Sequence, residues 1–334
     1  MRITLKDIAE ELQISTNTVS KALNHKAKVS EELREKIIET ARRLGYEKNT
    51  YASRLSQKPI TIGVLINGYD KNYYQYTLRG FQKAEMQLAD CKVFFDIRIV
   101  EIDSCTEENS VKIVDEFVAN GVQGIIFNDC HFSALQRLLD SLNEKHIYAA
   151  LLNYDSDQMK RSFSMTNDYE IAAGLACDIF KMKLDIRERI ILYSQADASY
   201  SGKCFLEAFS RQANEHHFKN ITIASSRQEF FDVMAEDAGG IYVAHASYLE
   251  VCSYLKKHFA PENKPCLVVS DIYEQAAPFV EDGTIDAIIY QEPQKQAFDA
   301  ALAMYHAIFE GSVAEEKKKI IPLLLLKSNY QKYL

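Results

Sequence analysis

The chain has 334 residues, of which 47% are hydrophobic and 26% charged, and its formal net charge is −8. This length suffices for two or three domains with sizeable cores, and the composition is ordinary for a globular protein. The charge is uneven: residues 1–58 hold 12 Lys and Arg against 8 Asp and Glu, whereas the remaining residues hold 27 against 39. Nucleic acid is therefore expected to contact the N-terminal segment only, which excludes non-specific coating by the whole chain.

Several classes of protein are disfavoured by missing patterns. No apolar run is long enough to cross a bilayer and no signal-peptide layout is present, so we expect a cytoplasmic protein without membrane contact. The seven cysteines are scattered with no CxxC spacing, and His216 and His217 are adjacent, so we expect no metal site and no cofactor. A nucleophile elbow, a phosphate-binding loop and a zinc motif are all lacking, so we expect no catalytic residues and no enzyme activity.

The first 45 residues have the pattern of three short helices. Thr4 and Asp7 have the spacing of a capping box, and an apolar stripe follows through Leu12. Gln13 and Ile14 leave room only for a sharp turn before Ser15, which is predicted to cap a second helix. Ser30 is predicted to cap a third helix that ends at Gly45. This arrangement predicts a helix-turn-helix module.

The exposed face of the second helix suits DNA. Thr16 and Asn17 are short polar residues able to reach base edges in a major groove, and Lys21 follows one turn later. The alternative is a three-helix mini-domain whose polar face is only solvated.

The segments TLKDIAEELQISTNTVSKALN, VSEELREKI and LGYEKNTYASRL closely resemble the N-terminal headpiece of the LacI/GalR family of bacterial transcription regulators, over roughly the first 58 residues. The resemblance implies that Thr16, Asn17 and Lys21 read bases. It also implies a hinge helix, Tyr51 to Leu55, whose Ala52 and Leu55 approach the minor groove, where an apolar wedge kinks the duplex. Without the resemblance, YASRL reads as a linker helix with a buried leucine. The full set predicted to contact DNA is Thr4, Leu5, Ser15, Thr16, Asn17, Thr18, Ser20, Lys21, Asn24, Lys28, Asn49, Tyr51, Ala52 and Leu55.

After the hinge, short apolar runs alternate with amphipathic helical segments. The pattern begins with strand ITIGVLI and a helix from Thr77 to Leu88, and it continues to a final strand IPLLLL. Such βαβ alternation predicts parallel sheets with helices on both faces. The expected fold is a small all-α helix-turn-helix headpiece followed by a two-lobed α/β core of the type I periplasmic-binding-protein kind. The predicted boundaries are 1–48 for the headpiece, 49–59 for the hinge, 60–160 with 292–317 for the first lobe, and 161–291 with 318–334 for the second.

The core also resembles ribose-type sugar receptors, most clearly in VVSDIYEQAAPFVEDGTIDAIIYQEPQKQAFDAAL. There the resemblance implies that Asp271 and Gln291 bind sugar hydroxyls, and both follow strands, where ligands of open α/β sheets bind. The alternative for Asp271 is a helix N-cap. The full set predicted to line the ligand site is Lys71, Tyr73, Tyr74, Asn153, Ser201, His245, Asp271 and Gln291.

Two positions depart from the sugar-receptor pattern. Ser201 stands where the family often has an arginine, and His245-Ala246 replaces a common Asn-Asp pair. One half of the predicted ligand site therefore differs from the sugar-receptor pattern. The sequence predicts a DNA-binding transcription regulator, with repression favoured, controlled by a sugar or sugar derivative. The predicted partners are a pseudo-palindromic operator, this effector and a second copy of the chain. A sugar-type receptor without a DNA role is the alternative.

Overall fold

The computed structural model describes residues 5–23, 29–44, 58–68, 71–100, 106–130, 133–185, 188–194, 200–234, 238–244, 247–311, 313 and 315–334. The chain divides into two compact units, Met1–Lys58 and Pro59–Leu334. This division falls close to the predicted end of the hinge segment.

The first unit contains the predicted helices, α1 (Leu5–Leu12), α2 (Thr16–Leu23) and α3 (Glu31–Leu44). The backbone N–H of Thr18 donates to Ser15 Oγ at 3.0 Å, and that of Leu33 donates to Ser30 Oγ at 3.4 Å, which confirms both predicted N-caps. The three helices bury a small common core. Its fully buried members are Ile8, Ala9, Val19, Ala22, Ile37 and Ala41.

The second unit alternates strands and helices as predicted. Its strands are β1 (Ile60–Asn67), β2 (Val93–Val100), β3 (Gly124–Asn128), β4 (Tyr148–Leu152), β5 (Phe163–Asn167), β6 (Arg189–Tyr193), β7 (Ile221–Ala224), β8 (Ala238–Val243), β9 (Cys266–Ser270), β10 (Ala287–Tyr290), β11 (Lys317–Ile320) and β12 (Leu323–Leu325). Its helices are α4 (Lys71–Leu88), α5 (Glu107–Ala119), α6 (Leu135–Glu144), α7 (Tyr169–Lys183), α8 (Tyr200–Glu215), α9 (Arg227–Val233), α10 (Tyr248–His258), α11 (Ala277–Glu281) and α12 (Pro293–Glu310). Single 3-10 turns occupy Ala89–Cys91, Glu274–Ala276 and Tyr330–Tyr333.

The strands form two six-stranded sheets, each the centre of one lobe. The first has the order β11-β5-β4-β3-β1-β2 and the second β12-β10-β9-β8-β6-β7. Every pairing is parallel except that of β10 with β12. Apolar clusters pack on both faces of each sheet, which is how parallel sheets exclude water.

The lobe boundaries differ from the sequence prediction. Strand β5 pairs with β4, so the first lobe extends to Asn167 instead of ending at residue 160. The predicted final strand is β12 in the second sheet, whereas β11 before it joins the first sheet, so the first lobe extends to Ile320 instead of ending at residue 317. Pro322 lies between them and has no N–H to donate to a strand ladder. The chain thus passes between lobes after Asn167, at Gln291-Glu292 and at Ile321-Pro322.

Helix α4 also differs, since it begins at Lys71 and not at Thr77. Its N-terminal turn carries tyrosines that the sequence prediction had placed before the helix. The first lobe therefore presents these side chains from a regular helix, at spacings fixed by the helical repeat.

Candidate functional site

The exposed face of α2 is the candidate DNA-contacting surface of the first unit. Val19 and Ala22 are fully buried against the other two helices, which turns Thr16 and Asn17 outward, where they are exposed. Thr18 and Lys21 are partly exposed on the same helix. Thr16, Asn17 and Lys21 therefore share the outer side of a short helix anchored by its apolar side.

The turn before α2 is tightly specified. Gln13 has a φ of 52°, and the backbone N–H of Ile14 donates to Ala9 O at 3.0 Å. The hydroxyls of Ser15 and Thr18 are 2.8 Å apart, so Ser15 uses its side chain on the first turn of α2. The remaining residues predicted to contact DNA, Thr4, Asn24, Lys28, Asn49, Tyr51, Ala52 and Leu55, together with the side chains of Leu5 and Ser20, lie outside the described parts of the chain.

In the second unit, three strands end in the same unusual way. Asp129, Asn153 and Asp271 directly follow β3, β4 and β9, with φ values of 52°, 61° and 59°. Each backbone N–H donates to the adjacent strand, at 2.8 Å to Leu152 O, 2.9 Å to Met165 O and 3.0 Å to Ile289 O respectively. Asp and Asn are the side chains that most readily adopt this left-handed conformation. The three side chains are thereby placed at the carboxyl edges of the two sheets.

Asp271 is one end of a chain of side-chain amides. Its Oδ1 accepts the backbone N–H of Gln291 at 2.8 Å, and its Oδ2 accepts Gln291 Nε2 at 3.2 Å. Gln291 Oε1 accepts Asn167 Nδ2 in a short contact across the lobes. The predicted pair Asp271 and Gln291 is therefore brought together, and Asp271 is only 3% exposed. The predicted alternative, an N-cap, is disfavoured because the Asp271 carboxylate is engaged by Gln291 instead.

The chain continues through the first lobe. Asn167 Nδ2 also donates to Asn153 Oδ1 at 3.2 Å. Asn153 Nδ2 donates to Asn128 Oδ1 at 3.2 Å and to the Tyr73 hydroxyl at 2.6 Å. All three asparagines are buried, with exposures of 3% or less. Asn128 Nδ2 is buried and has no hydrogen-bond partner among the described residues.

A second polar contact joins the lobes. Ser201, near the start of α8, donates from Oγ to Asp129 Oδ2 at 3.1 Å. Asn67 Nδ2, at the end of β1, donates to the Asp129 carbonyl at 3.3 Å. The position predicted as a departure from the sugar-receptor pattern thus contacts a carboxylate of the opposite lobe.

The predicted ligand residues are only partly assembled. Tyr73, Asn153, Ser201, Asp271 and Gln291 lie along the contacts between the lobes. In contrast, Tyr74 is buried in the core of the first lobe and Lys71 is exposed at the first residue of α4. His245 lies outside the described residues.

Sequence reasoning missed Asn128, Asp129 and Gln296. Asn128 ends a buried strand and Asp129 follows it, which is the same signal that identified Asp271, but no resemblance to a known receptor marked either residue. Gln296 lies on α12, is 1% exposed, and donates from Nε2 to Asn167 Oδ1 at 2.5 Å. Nothing in the local sequence distinguishes it from a solvated glutamine.

A further cavity of about 350 Å³ opens beside the crossings between the lobes. It is lined from both lobes, and its lining includes Asn153 and Asn167 of the amide chain. Its charged side chains include Lys317, Lys318, Lys319, Arg211, Asp155, Asp157, Glu170 and Glu207. The two signs balance, and ion pairs join Lys317 to Asp157 and Arg211 to Glu170. The cavity therefore presents no net attraction for an anion.

The described residues contain neither a membrane-spanning helix nor a metal-binding cluster. No helix there combines the length and apolar character needed to cross a membrane. No group of His, Cys, Asp or Glu side chains there is arranged to hold a metal ion.

Two α/β lobes connected by several crossings, with polar side chains at the strand ends between them, define a type I periplasmic-binding-protein-like core. Residues 62–311 match the family model described as periplasmic binding protein domain, and the chain belongs to that family. Residues 4–49 match the model described as bacterial regulatory proteins, lacI family. The family predicted from the headpiece residues is thereby confirmed.

Known proteins resemble the chain over different extents. Catabolite control protein A of Priestia megaterium is 27% identical over 175 residues, which are 52% of this chain and 50% of that protein. The chain thus spans about half the length of the curated relatives it matches. A putative LacI transcriptional regulator from Bacteroides fragilis has a TM-score of 0.73 at 16% identity, covering 83% of this chain and 100% of that one. The lac repressor dimer bound to operator and the anti-inducer ONPF has a TM-score of 0.65 at 16% identity, covering 97% and 98%.

Proposed function

We propose that this protein is a sequence-specific DNA-binding transcription regulator whose operator affinity is set by a small polyhydroxylated ligand between the core lobes. The observation that carries the proposal is the joining, in one chain, of a helix-turn-helix unit with an exposed polar α2 face to a two-lobed ligand-binding fold. Repression is the favoured action, because the matched headpiece model is that of the lacI family.

The headpiece supports the DNA half of this proposal. A recognition helix needs short polar or bidentate side chains on its outer face and an apolar inner face that fixes its entry into the major groove. Asn17 offers an amide suited to an adenine edge, and Lys21 offers a cation suited to a guanine or a phosphate. One such helix reads too few base pairs for genomic specificity, so we infer that two copies of the chain bind a pseudo-palindromic operator.

The core supports the ligand half. Ligands of open α/β sheets bind at the carboxyl ends of strands, and Asp129, Asn153 and Asp271 all lie there. Carboxylates and amides supply the acceptors and donors that hydroxyl groups need. The hydrogen bonds among Asp271, Gln291 and Asn167 link the lobes, so a ligand that engages these groups also changes how the lobes contact each other.

The DNA half is tested by selecting operators from random duplex DNA with the full chain. We expect a palindromic consensus. We expect Asn17→Ala to lower affinity for it by about 1–3 kcal/mol, roughly 5- to 150-fold, while relaxing the choice at one base pair of each half-site. Lys36→Ala is the control, since Lys36 is exposed on α3 and away from the α2 face. Selection of no sequence would instead favour a sugar-type receptor without a DNA role.

The ligand half is tested by thermal shift with D-glucose, D-galactose, D-ribose and D-arabinose. A sugar that raises the Tm of the wild type is expected to lose this effect with Asp271→Asn. The control is Asp232→Asn, because Asp232 is exposed on α9 and bonds only locally, to Gln228. Equal stabilisation of Asp271→Asn and wild type would place the ligand elsewhere.

A further inference from the structure

Gln296 is a buried polar side chain on the face of α12 that packs into the core of the first lobe. Its neighbours Ala297, Ala300 and Ala301 are fully buried in the core of the first lobe. Burying an amide is costly unless it is hydrogen-bonded, so the two bonds that Gln296 donates must offset its desolvation. One goes to Asn167 Oδ1, and the other, a short contact, goes to the backbone carbonyl of Gln291.

These two acceptors lie on different chain crossings. Asn167 ends β5, immediately before the chain enters the second lobe, and Gln291 follows β10, immediately before the chain returns. Gln296 itself belongs to the first lobe, because α12 packs along α4 and the first sheet. One side chain therefore joins both crossings to the same lobe.

The orientation of the whole amide chain follows from this contact. The Gln291 carbonyl can only accept, so the Gln296 atom that faces it must be Nε2. The Asn167 atom facing that nitrogen must then be Oδ1, which turns Asn167 Nδ2 toward Gln291 Oε1 and Asn153 Oδ1. The Asp271 carboxylate independently requires Gln291 to present Nε2 to it. Both ends therefore demand the same direction of donation.

Gln296 Oε1 is consistent with this assignment. It is buried and has no hydrogen-bond partner among the described residues. An unpaired buried amide oxygen carries a desolvation cost, which an apolar residue of similar size would avoid. Filling space alone therefore does not account for a glutamine at this position. The contribution specific to the amide is its Nε2, which donates to one residue at each of two chain crossings.

We propose that Gln296 is the positioning residue that fixes the relative setting of the two lobes, acting through Asn167 and Gln291. It does not contact ligand. It holds the Asn167 side chain and the Gln291 backbone in the positions from which Asn167 bonds to Gln291 across the lobes. The role in lobe geometry stands on these contacts alone, and only its consequence for operator binding rests on the proposed function.

The test measures the distance between lobes in the full chain. p-Acetylphenylalanine replaces Glu144, at the end of α6, and Lys257, near the end of α10, and both sites are labelled with dyes for single-molecule energy transfer. Both residues are exposed and lie on different lobes. Native cysteines are left untouched because the labels react with the ketone.

Gln296→Leu removes both donated hydrogen bonds at similar volume. We expect a displaced or broadened distance distribution. The matched control is Gln294→Leu, because Gln294 is a partly exposed glutamine on the same helix, and this variant should match wild type. A distribution for Gln296→Leu identical to that of Gln294→Leu would overturn the proposal.

Gln296→Glu separates a positioning role from simple packing and remains informative where the leucine variant fails to fold. Its carboxylate is nearly the same shape but cannot donate, so at pH 8.5 we expect it to show the displaced distribution. Burial raises the pKa of a carboxyl group, so by pH 5 its protonated form can donate again and we expect a shift back toward wild type. The wild type is measured at both pH values as the reference. If the distance distribution of Gln296→Glu did not change with pH, hydrogen-bond donation by residue 296 would not set the lobe distance, and the proposal would be contradicted.

Operator affinity is the second readout. With the selected operator, Gln296→Leu should change the Kd at least fivefold in the absence of sugar, while Gln294→Leu should not. Failure of the wild type to select any operator would refute the proposed function, yet the distance measurement would still decide the role of Gln296.

Discussion

Tyr76 of the first lobe packs its ring against Tyr273 of the second, with ring centroids 5.6 Å apart. Tyr76 lies on α4 but belongs to the apolar cluster of the second lobe, together with Tyr248, which stacks on Tyr273. Burial raises the pKa of the Tyr76 hydroxyl, and the nearby Arg79 guanidinium opposes this by lowering it. The lobes are therefore held together by an aromatic contact as well as by the amide chain.

Tyr76→Ala is expected to destabilise the core by about 3 kcal/mol, because it removes a buried ring. Tyr76→Phe should cost no more than about 1 kcal/mol, because it keeps the buried ring and removes only the hydroxyl. Arg79→Ala should cost less still, since the Arg79–Glu274 ion pair is largely exposed at 3.8 Å. Urea unfolding of the three variants measures this order. If Arg79→Ala proved as costly as Tyr76→Ala, charge and not ring burial would hold this contact.

Leu55→Ala is expected to weaken binding to the selected operator while leaving the sugar affinity of the core unchanged. The reason is the wedge role that the family resemblance implies for Leu55, in which an apolar side chain opens a base step in the minor groove. Fluorescence anisotropy with labelled operator measures the first quantity and calorimetry with sugar the second. An operator affinity equal to that of wild type would leave Leu55 as a buried linker residue.

Gly80→Ala is expected to destabilise the chain by about 1–3 kcal/mol. A Cβ at Gly80 would lie 2.2 Å from the backbone O of Gln294 and 2.8 Å from Ala297 Cβ, so α4 and α12 would have to separate. Gly174→Ala is the matched control, because its Cβ would meet only the flexible end of Gln212, at 3.2 Å. That change should be neutral or stabilising by up to about 1 kcal/mol through helix propensity. Thermal unfolding of both variants compares them, and equal effects would contradict the close approach of the helices.

Thiol reactivity should discriminate among the cysteines. Burial raises the pKa of the Cys177, Cys252 and Cys266 thiols to about 12, so at pH 8.5 almost none of each is the reactive thiolate. Cys204 is partly exposed on α8. Brief iodoacetamide treatment followed by peptide mass spectrometry should label Cys204 before Cys177, Cys252 and Cys266. Raising the pH toward 10 should increase labelling of the other three only slightly, since they also remain buried. Early modification of Cys177 would indicate that α7 separates from its sheet.

Sequence patterns predicted the βαβ alternation well because buried parallel strands are short, continuous apolar runs. Strand β5 was assigned to the wrong lobe because Phe163–Asn167 follows a charged bridge, and its pairing with β4 is set by tertiary structure. The start of α4 was missed because its first turns are rich in tyrosine, which carries little helix signal, although Asp70 before Lys71 is a residue type that often caps helices.

The candidate site divides in the same way. Asp271 and Gln291 were predictable because each follows a strand in a segment that resembles a known receptor. Gln296 was not predictable, since its hydrogen-bond partner Asn167 is distant in sequence and contacts it only in the folded core. The contact of Tyr76 with the second lobe was likewise not predictable, because its spacing on α4 fits the core of the first lobe equally well.

The left-handed backbone at Asp129, Asn153 and Asp271 limits how the proposed ligand site between the lobes can change its specificity. Asp and Asn tolerate that conformation and have nearly the same shape, so exchanging one for the other changes charge and donor pattern without moving the chain. A leucine or lysine there would add backbone strain of about 1 kcal/mol or more before any contact with ligand is counted. Adaptation to a different hydroxyl pattern is therefore easiest by Asp–Asn exchange at strand ends. These three positions are where a designed library for altered specificity should begin.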